Sequence, residues 1–230
     1  MAGEREMNRR NAFKLAVAGI AGLAAPGVAG AQAPPSFPQP ETPEQAFRLL
    51  TEGNARYIAQ KMTSFEADMA ILRADSDEHQ VPFAGVLTCA DSRVTPELVF
   101  DQSLGHLFIT RVAGNVATSD MIASLEYAAA VLKIKAILVV GHTNCGAVKA
   151  AAAGKAVPGQ ISTLFPYIYP AIAGAAAGDY DAMTRKNAIL QADVLRKASP
   201  VISGLIAEKA LAVRASVYDV RSGKVTMLEG

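Results

Sequence analysis

The chain has 230 residues, 51% of them hydrophobic, and a formal net charge of +1, which suits one globular domain with a substantial core. The balanced charge and the lack of any basic stripe argue against nucleic acid as a main partner. Past the N-terminal segment no apolar run reaches the roughly 18 residues of a membrane helix, so the mature chain is expected to have no membrane span.

The first segment, "MNRRNAFKLAVAGIAGLAAPGVAGAQA", begins with Arg9 and Arg10 and continues into a mildly hydrophobic stretch rich in Ala and Gly. It ends in small residues, Ala29-Gly30-Ala31, which suit a signal peptidase. The paired arginines, the Phe13-Lys14 pair and the mild apolar region resemble a twin-arginine export signal. Residues 1–31 are therefore expected to be a cleavable signal directing the protein to the periplasm, with Sec export as the alternative. They carry four basic and two acidic side chains, so their removal takes the chain from +1 to −1. Residues 32–42 read as a Pro-rich, extended linker before a domain spanning 43–230.

"TPEQAFRLLTEGNARYIAQ" predicts a helix, with Thr42 as cap, Pro43 in the first turn and Gln45 completing a capping box. "VPFAGVLTC" reads as a buried strand and "TPELVFD" as a short helix capped by Thr95. "HLFITRV" is a strand, "TSDMIASLEYAAAVLK" an amphipathic helix, and "KAILVVGH" a third buried strand. Residues 160–209 read as helical, interrupted by Pro166, Pro170 and Pro200. "LAVRASVYDVRSGKVTML" closes the chain as strand, turn at Ser222-Gly223, and strand. Near-continuous apolar strands alternating with helices predict an α/β fold with a mainly parallel central sheet flanked by helices on both faces.

Two stretches carry the chemistry, "CADSRV" at 89–94 and "GHTNCGAV" at 141–148. Each follows an apolar strand, so each is placed at the carboxyl edge of the sheet, where open α/β sheets collect ligands. The chain has two cysteines, and each stretch holds one. A disulfide suits an exported protein, and buried structural thiols are common. Neither explains His142 three positions before Cys145, nor Asp91 and Arg93 beside Cys89. Thiolate and imidazole ligands suit Zn²⁺, and three protein ligands leave a fourth position open. On spacing alone all three readings stand.

The two stretches, in this order and separated by strand, helix and strand, resemble the β-class carbonic anhydrase family. The resemblance continues in "GHLFITRVAGN", "SLEYA", "SPVI" and "VYDVRSGKV", and so covers nearly all of the chain from about residue 43. It implies zinc held by Cys89, His142 and Cys145, and reversible hydration of CO2 to bicarbonate and a proton. It also implies an Asp91–Arg93 pair beside the metal, Asp91 accepting a proton-mediated contact from the activated water and Arg93 keeping Asp91 ionised. In a closed form of the family the aspartate turns onto the metal as an alternate fourth ligand. That form often accompanies a bicarbonate pocket built on tryptophan, and this chain has none.

The open form is associated with a glutamine nine residues before the first cysteine, a phenylalanine nineteen after it and a tyrosine fifteen before the histidine. Gln80, Phe108 and Tyr127 stand there. By resemblance Gln80 holds a substrate oxygen, Phe108 and Tyr127 form an apolar wall for CO2, and Gly146 offers its backbone N–H. Homodimers or higher oligomers are implied, with an active-site cleft shared between subunits. His106 stands where an acidic residue is common and is a candidate proton shuttle. Ala113 is smaller than the usual valine, and His79 adjoins Gln80 without an assigned role. The alternatives are hydrolysis of COS or CS2 on the same zinc set, and a non-catalytic zinc-stabilised binding domain.

Overall fold

In the computed structural model the described residues are 39–64, 68 and 80–229. The expected signal at 1–31, most of the linker at 32–42, and His79 lie outside them. Helix α1 (Pro43–Ile58) starts as its sequence dictates: the Thr42 side chain accepts from the Gln45 N–H, and the Gln45 side chain accepts from the Thr42 N–H. A side chain at Gly53 would put its Cβ 1.7 Å from the Phe100 carbonyl oxygen, so glycine is what lets α1 lie flat on the next turn of chain.

Strands β1 (Ala84–Thr88), β2 (Leu107–Arg111), β3 (Ala136–His142) and β4 (Ala212–Tyr218) are parallel, and β5 (Val225–Leu228) runs antiparallel to β4. Their order is β2-β1-β3-β4-β5. β1 and β3 occupy the centre and every residue in them is buried, which is why they read as unbroken apolar runs rather than alternating ones. Helices α1 and α2 (Pro96–Val99) cover one face through Phe47, Leu50 and Val99 against Val86, Leu138 and Val140. Helices α3 (Ser119–Ala130), α6 (Tyr180–Ala198) and α7 (Pro200–Ala207) cover the other through Leu125, Leu195 and Ile202 against Leu87, Ile137 and Val139. Between them in sequence lie α4 (Gly146–Ala153) and α5 (Phe165–Ile172).

Two local expectations change. Thr95 occupies the N-cap of α2 with extended geometry, but its side chain makes no capping bond. The helical stretch after 160 is not divided at Pro166 and Pro170, both of which lie within α5, the first at its start. A proline in the first turn forfeits no helical bond, because that N–H has no acceptor. The break falls instead between α5 and α6, where Gly174 and Gly178 take φ of 72° and 83°.

From β1 the chain leaves toward β2, and from β3 it leaves the other way toward β4. The carboxyl ends of β1 and β3 therefore form the switch point of the sheet, the crevice where such folds bind ligands.

Candidate metal centre

That crevice holds both chemical stretches. Thr88 pairs with Val140, so Cys89, just past β1, sits beside His142, the last residue of β3. The chain then turns tightly through Thr143 and Asn144, the latter at φ 59°, with the Lys149 ammonium bonded to its side chain. This turn delivers Cys145 as the N-cap of α4. The ligand atoms of Cys89, His142 and Cys145 all lie within 4.8 Å of one another, and all three residues are buried. Both cysteines are free thiols.

The donor set suits a thiophilic dication. Nδ1 of His142 lies 3.0 Å from the Thr143 carbonyl, which assigns its proton to Nδ1. Nε2 then presents a lone pair to the two sulfurs, and this fully buried atom has no hydrogen-bond partner. An orphaned buried acceptor is costly unless something is bound to it. The sulfurs give the same indication. A hydrogen bond from Cys145 draws the Cys89 thiol down, helped by the backbone N–H groups of Gly114 and Asp91. The same bond, with burial and the neighbouring charge, pushes Cys145 up. Two buried thiols this close share one negative charge, and both become thiolates only with a cation between them.

Asp91 stands at the mouth. Its carboxylate accepts from Arg93 Nε at 2.9 Å, Arg93 Nη2 at 2.8 Å and the Arg93 backbone N–H at 2.9 Å. The Arg93 guanidinium thereby holds the Asp91 carboxyl far below the usual carboxylate range. Gly146 opens α4 next to Cys145, with its Cα face unobstructed.

The remaining expected residues are not brought to this centre within one chain. Phe108 pairs with Gly85, four residues before Cys89, which is roughly 13 Å back along the strand. Tyr127 lies over Phe108 with ring centroids 6.3 Å apart and is 48% exposed. Gln80, exposed, precedes β1 and so lies toward the same end. His106 precedes β2, at the edge of the sheet opposite the cysteines, and contacts Gln102 rather than the centre. This candidate shuttle lies at the opposite end of the sheet from Asp91. Ala113 lies half-buried in the loop that follows β2.

Several residues that shape the centre escape a sequence reading. The Gly114 N–H donates to Cys89 Sγ at 3.3 Å. Arg111, the last residue of β2, donates to the carbonyls of Cys89 and Asp91 at 3.2 and 2.7 Å. Asn187 and Gln191 of α6 are buried and reach the loop around Gly114. The available signal was a pair of amides four apart on a mostly apolar helix face, which marks a shared position but not its target.

A family model described as carbonic anhydrase matches residues 84–225. Carbonic anhydrase 2 of Mycobacterium tuberculosis is 34% identical over 195 residues, covering 80% of this chain and 92% of that protein. The carbonic anhydrase of Pseudomonas aeruginosa is 35% identical over 167 residues, covering 66% and 75%. Among solved structures, the Coccomyxa β-carbonic anhydrase in complex with acetazolamide superposes with a TM-score of 0.61 at 30% identity, over 71% of this chain and 82% of that one. A tetrameric β-carbonic anhydrase from Sordaria macrospora shares the fold, with a TM-score of 0.64 at 22% identity over 81% of this chain and 98% of that one. The chain, with its Cys-His-Cys cluster at the switch point of a mostly parallel sheet, belongs to the β-class carbonic anhydrase family.

Proposed function

We propose that this protein catalyses the reversible hydration of CO2 to bicarbonate and a proton, with zinc held by Cys89, His142 and Cys145. The observation that carries the reading is the buried three-ligand cluster, one nitrogen of it unpartnered, next to a carboxylate locked by arginine. Zinc bound there supplies the Lewis acidity that makes a nucleophile of water near neutral pH. Two thiolates neutralise the ion's charge, so the rest of the site must work harder. Asp91, fully ionised, is an acceptor only, and it orients the attacking oxygen by taking its proton in a hydrogen bond. Arg93 keeps that acceptor pointed and charged. The Gly146 N–H donates to a substrate oxygen as negative charge develops on it.

The apolar part of the cleft comes from a second subunit. CO2 has no net dipole and favours a dry wall over water. Phe108 and Tyr127 form such a wall, yet they lie a strand's length from the cysteines of their own chain. Tyr127 is exposed on α3 beside the edge strand β2, available to a neighbour. The tetrameric Sordaria enzymes support a homo-oligomer; in this reading each cleft draws Gln80, Phe108 and Tyr127 from the partner.

Metal analysis combined with stopped-flow CO2 hydration on the mature protein tests the reading. One zinc per chain and rapid hydration are expected. Zinc without turnover would indicate a binding domain, and turnover of COS in preference to CO2 would move the activity to hydrolysis.

A further inference from the structure

We propose that Asn187 and Gln191 are positioning residues for the Cys89 sulfur: they hold the loop after β2 so that the Gly114 N–H donates to it. This rests on the zinc reading above and extends it to residues outside the metal cluster.

The loop closes one turn of its own, the Asn115 N–H donating to the Val112 carbonyl at 2.9 Å, but its further course takes side-chain support. Gly114 and Asn115 both have positive φ, 79° and 46°. Successive left-handed residues are uncommon, and Gly and Asn are the residues that adopt that region most readily. The loop is also crowded, since a Cβ at Gly114 would lie 2.9 Å from Ile168 Cδ1 and 3.2 Å from Ala147 Cβ. Two side chains of α6 hold it from outside. Asn187 Nδ2 donates to the Gly114 carbonyl at 2.8 Å. Gln191 Oε1 accepts from the Ala117 N–H at 2.9 Å. The two amides are tied together by Gln191 Nε2 donating to Asn187 Oδ1 at 3.0 Å, and Gln191 is anchored to the Tyr167 carbonyl at 2.9 Å.

Both side chains are essentially inaccessible, on a helix face shared with Ala188, Ala192 and Leu195. Burying amides there is costly unless every bond is made, and apolar residues would fill the space without that cost. What the amides achieve that apolar residues cannot is to fix two backbone groups of this loop. The fixed loop points one N–H, that of Gly114, at Cys89 Sγ. A hydrogen bond to a thiolate withdraws charge from it and weakens its donation to a metal. With two sulfurs among three ligands, that withdrawal preserves the acidity the reaction needs.

The test reads the sulfur directly. In the cadmium-113-substituted wild-type protein, the Gly114 amide proton is expected to show scalar coupling to the metal through Cys89. In Asn187→Leu, close in size but unable to donate, that coupling should vanish. In the cobalt-substituted variant the sulfur-to-metal charge-transfer band should move to lower energy. With zinc bound, kcat should fall about tenfold at unchanged KM, the scale of outer-ligand substitutions. Gln191→Met, which frees Ala117 but leaves the Gly114 carbonyl bonded, should show the same shifts in smaller degree. A wild-type protein without the coupling overturns the proposal. So do variants that lose thermal stability while keeping the wild-type cobalt band and kcat. Failure of both variants to fold would assign the amides to the core and count against it too. If the wild type binds neither metal through Cys89, the zinc reading itself fails, an outcome distinct from the others.

Discussion

Asp91 Oδ2 stands 3.9 Å from Nε2 of His142, but Arg93 holds both oxygens of its carboxylate. The carboxylate is thus one side-chain rotation from the metal position and is kept off it by a single residue. In Arg93→Ala the carboxylate is released, and it should turn onto the metal and occupy the open position. Zinc content is expected to stay full while hydration falls by about tenfold or more. Because the Arg93 side chain is 52% exposed, the pair adds little to folding, and stability should be nearly unchanged. Wild-type hydration rates in this variant would remove the Asp91–Arg93 pair from the mechanism.

Cys145 stands at the N-cap of α4 and is one of the three proposed ligands, so its loss should strike the metal directly. Cys145→Ala leaves one sulfur and one nitrogen and should lose zinc and activity together. Atomic absorption after dialysis against a mild chelator measures the first, and stopped-flow hydration the second. Full zinc occupancy would refute the ligand assignment.

The split between what was legible and what was not follows the range of the interactions. Val86 and Val140 sit in short unbroken apolar runs that mark strands buried on both faces, and Thr42 with Gln45 is a local signal read within one turn. Cys89, His142 and Cys145 stand out as rare residue types at or just past the ends of those strands, but spacing leaves three readings open and the ligand set comes from resemblance. Pro166 misled because a proline in the first turn forfeits no bond, while Pro170 sits inside α5 and forfeits one without dividing the helix. Gln191 and Ala117 are 74 residues apart, and no pattern along the chain links them. Phe108 was read as part of the cleft through resemblance alone. Its distance from Cys89 appears only once β1 and β2 are in register.

Asp101 offers a test of stability against pH. Its side chain is inaccessible and accepts from Arg56 Nε and from the N–H groups of Thr63 and Ser64, pinning the chain that follows α1. Burial raises its carboxyl, but Arg56 and the N–H donors outweigh burial and bring it to about 2. A lowered folded-state value means the contribution is whole above the unfolded value of about 3.9 and is lost as pH falls toward 2. Asp101→Asn keeps the size, and asparagine tolerates the φ of 45°. It should cost about 1–2 kcal/mol at pH 7, at the lower end because Arg56 is partly exposed. The cost should shrink between pH 4 and pH 2, read from urea unfolding of both proteins. A difference that stays constant across that range would place the effect outside the charge.

The proposed twin-arginine signal makes a prediction about the metal. That route carries folded proteins, so zinc can enter in the reducing cytoplasm, before Cys89 and Cys145 meet an oxidising compartment as bare thiols. Replacing Arg9 and Arg10 by Lys should stop export and leave active enzyme in the cytoplasm. Unchanged periplasmic activity would point to Sec export or to another signal.

The shared cleft can be tested by complementation. Take Cys145→Ala, which disables the metal, and Tyr127→Arg, which places a charge in the apolar wall. Each is expected to be inactive as a homo-oligomer. Tyr127 is half exposed in the single subunit, so Tyr127→Arg should fold normally. Dissociate the two proteins, mix them and let them reassociate. If the wall acts across the interface, a mixed dimer has one site with both defects and one with neither. Activity should then return to a fraction set by the share of mixed dimers, up to about a quarter of wild type per chain for random pairing of equal amounts (half the dimers mixed, one good site of two). If Tyr127 instead served the cysteines of its own chain, every mixed site would carry one defect and the mixture would stay inactive. Native mass spectrometry confirms that mixed dimers formed, so an inactive mixture would reject the shared cleft and leave Phe108 and Tyr127 as packing on the outer face of β2.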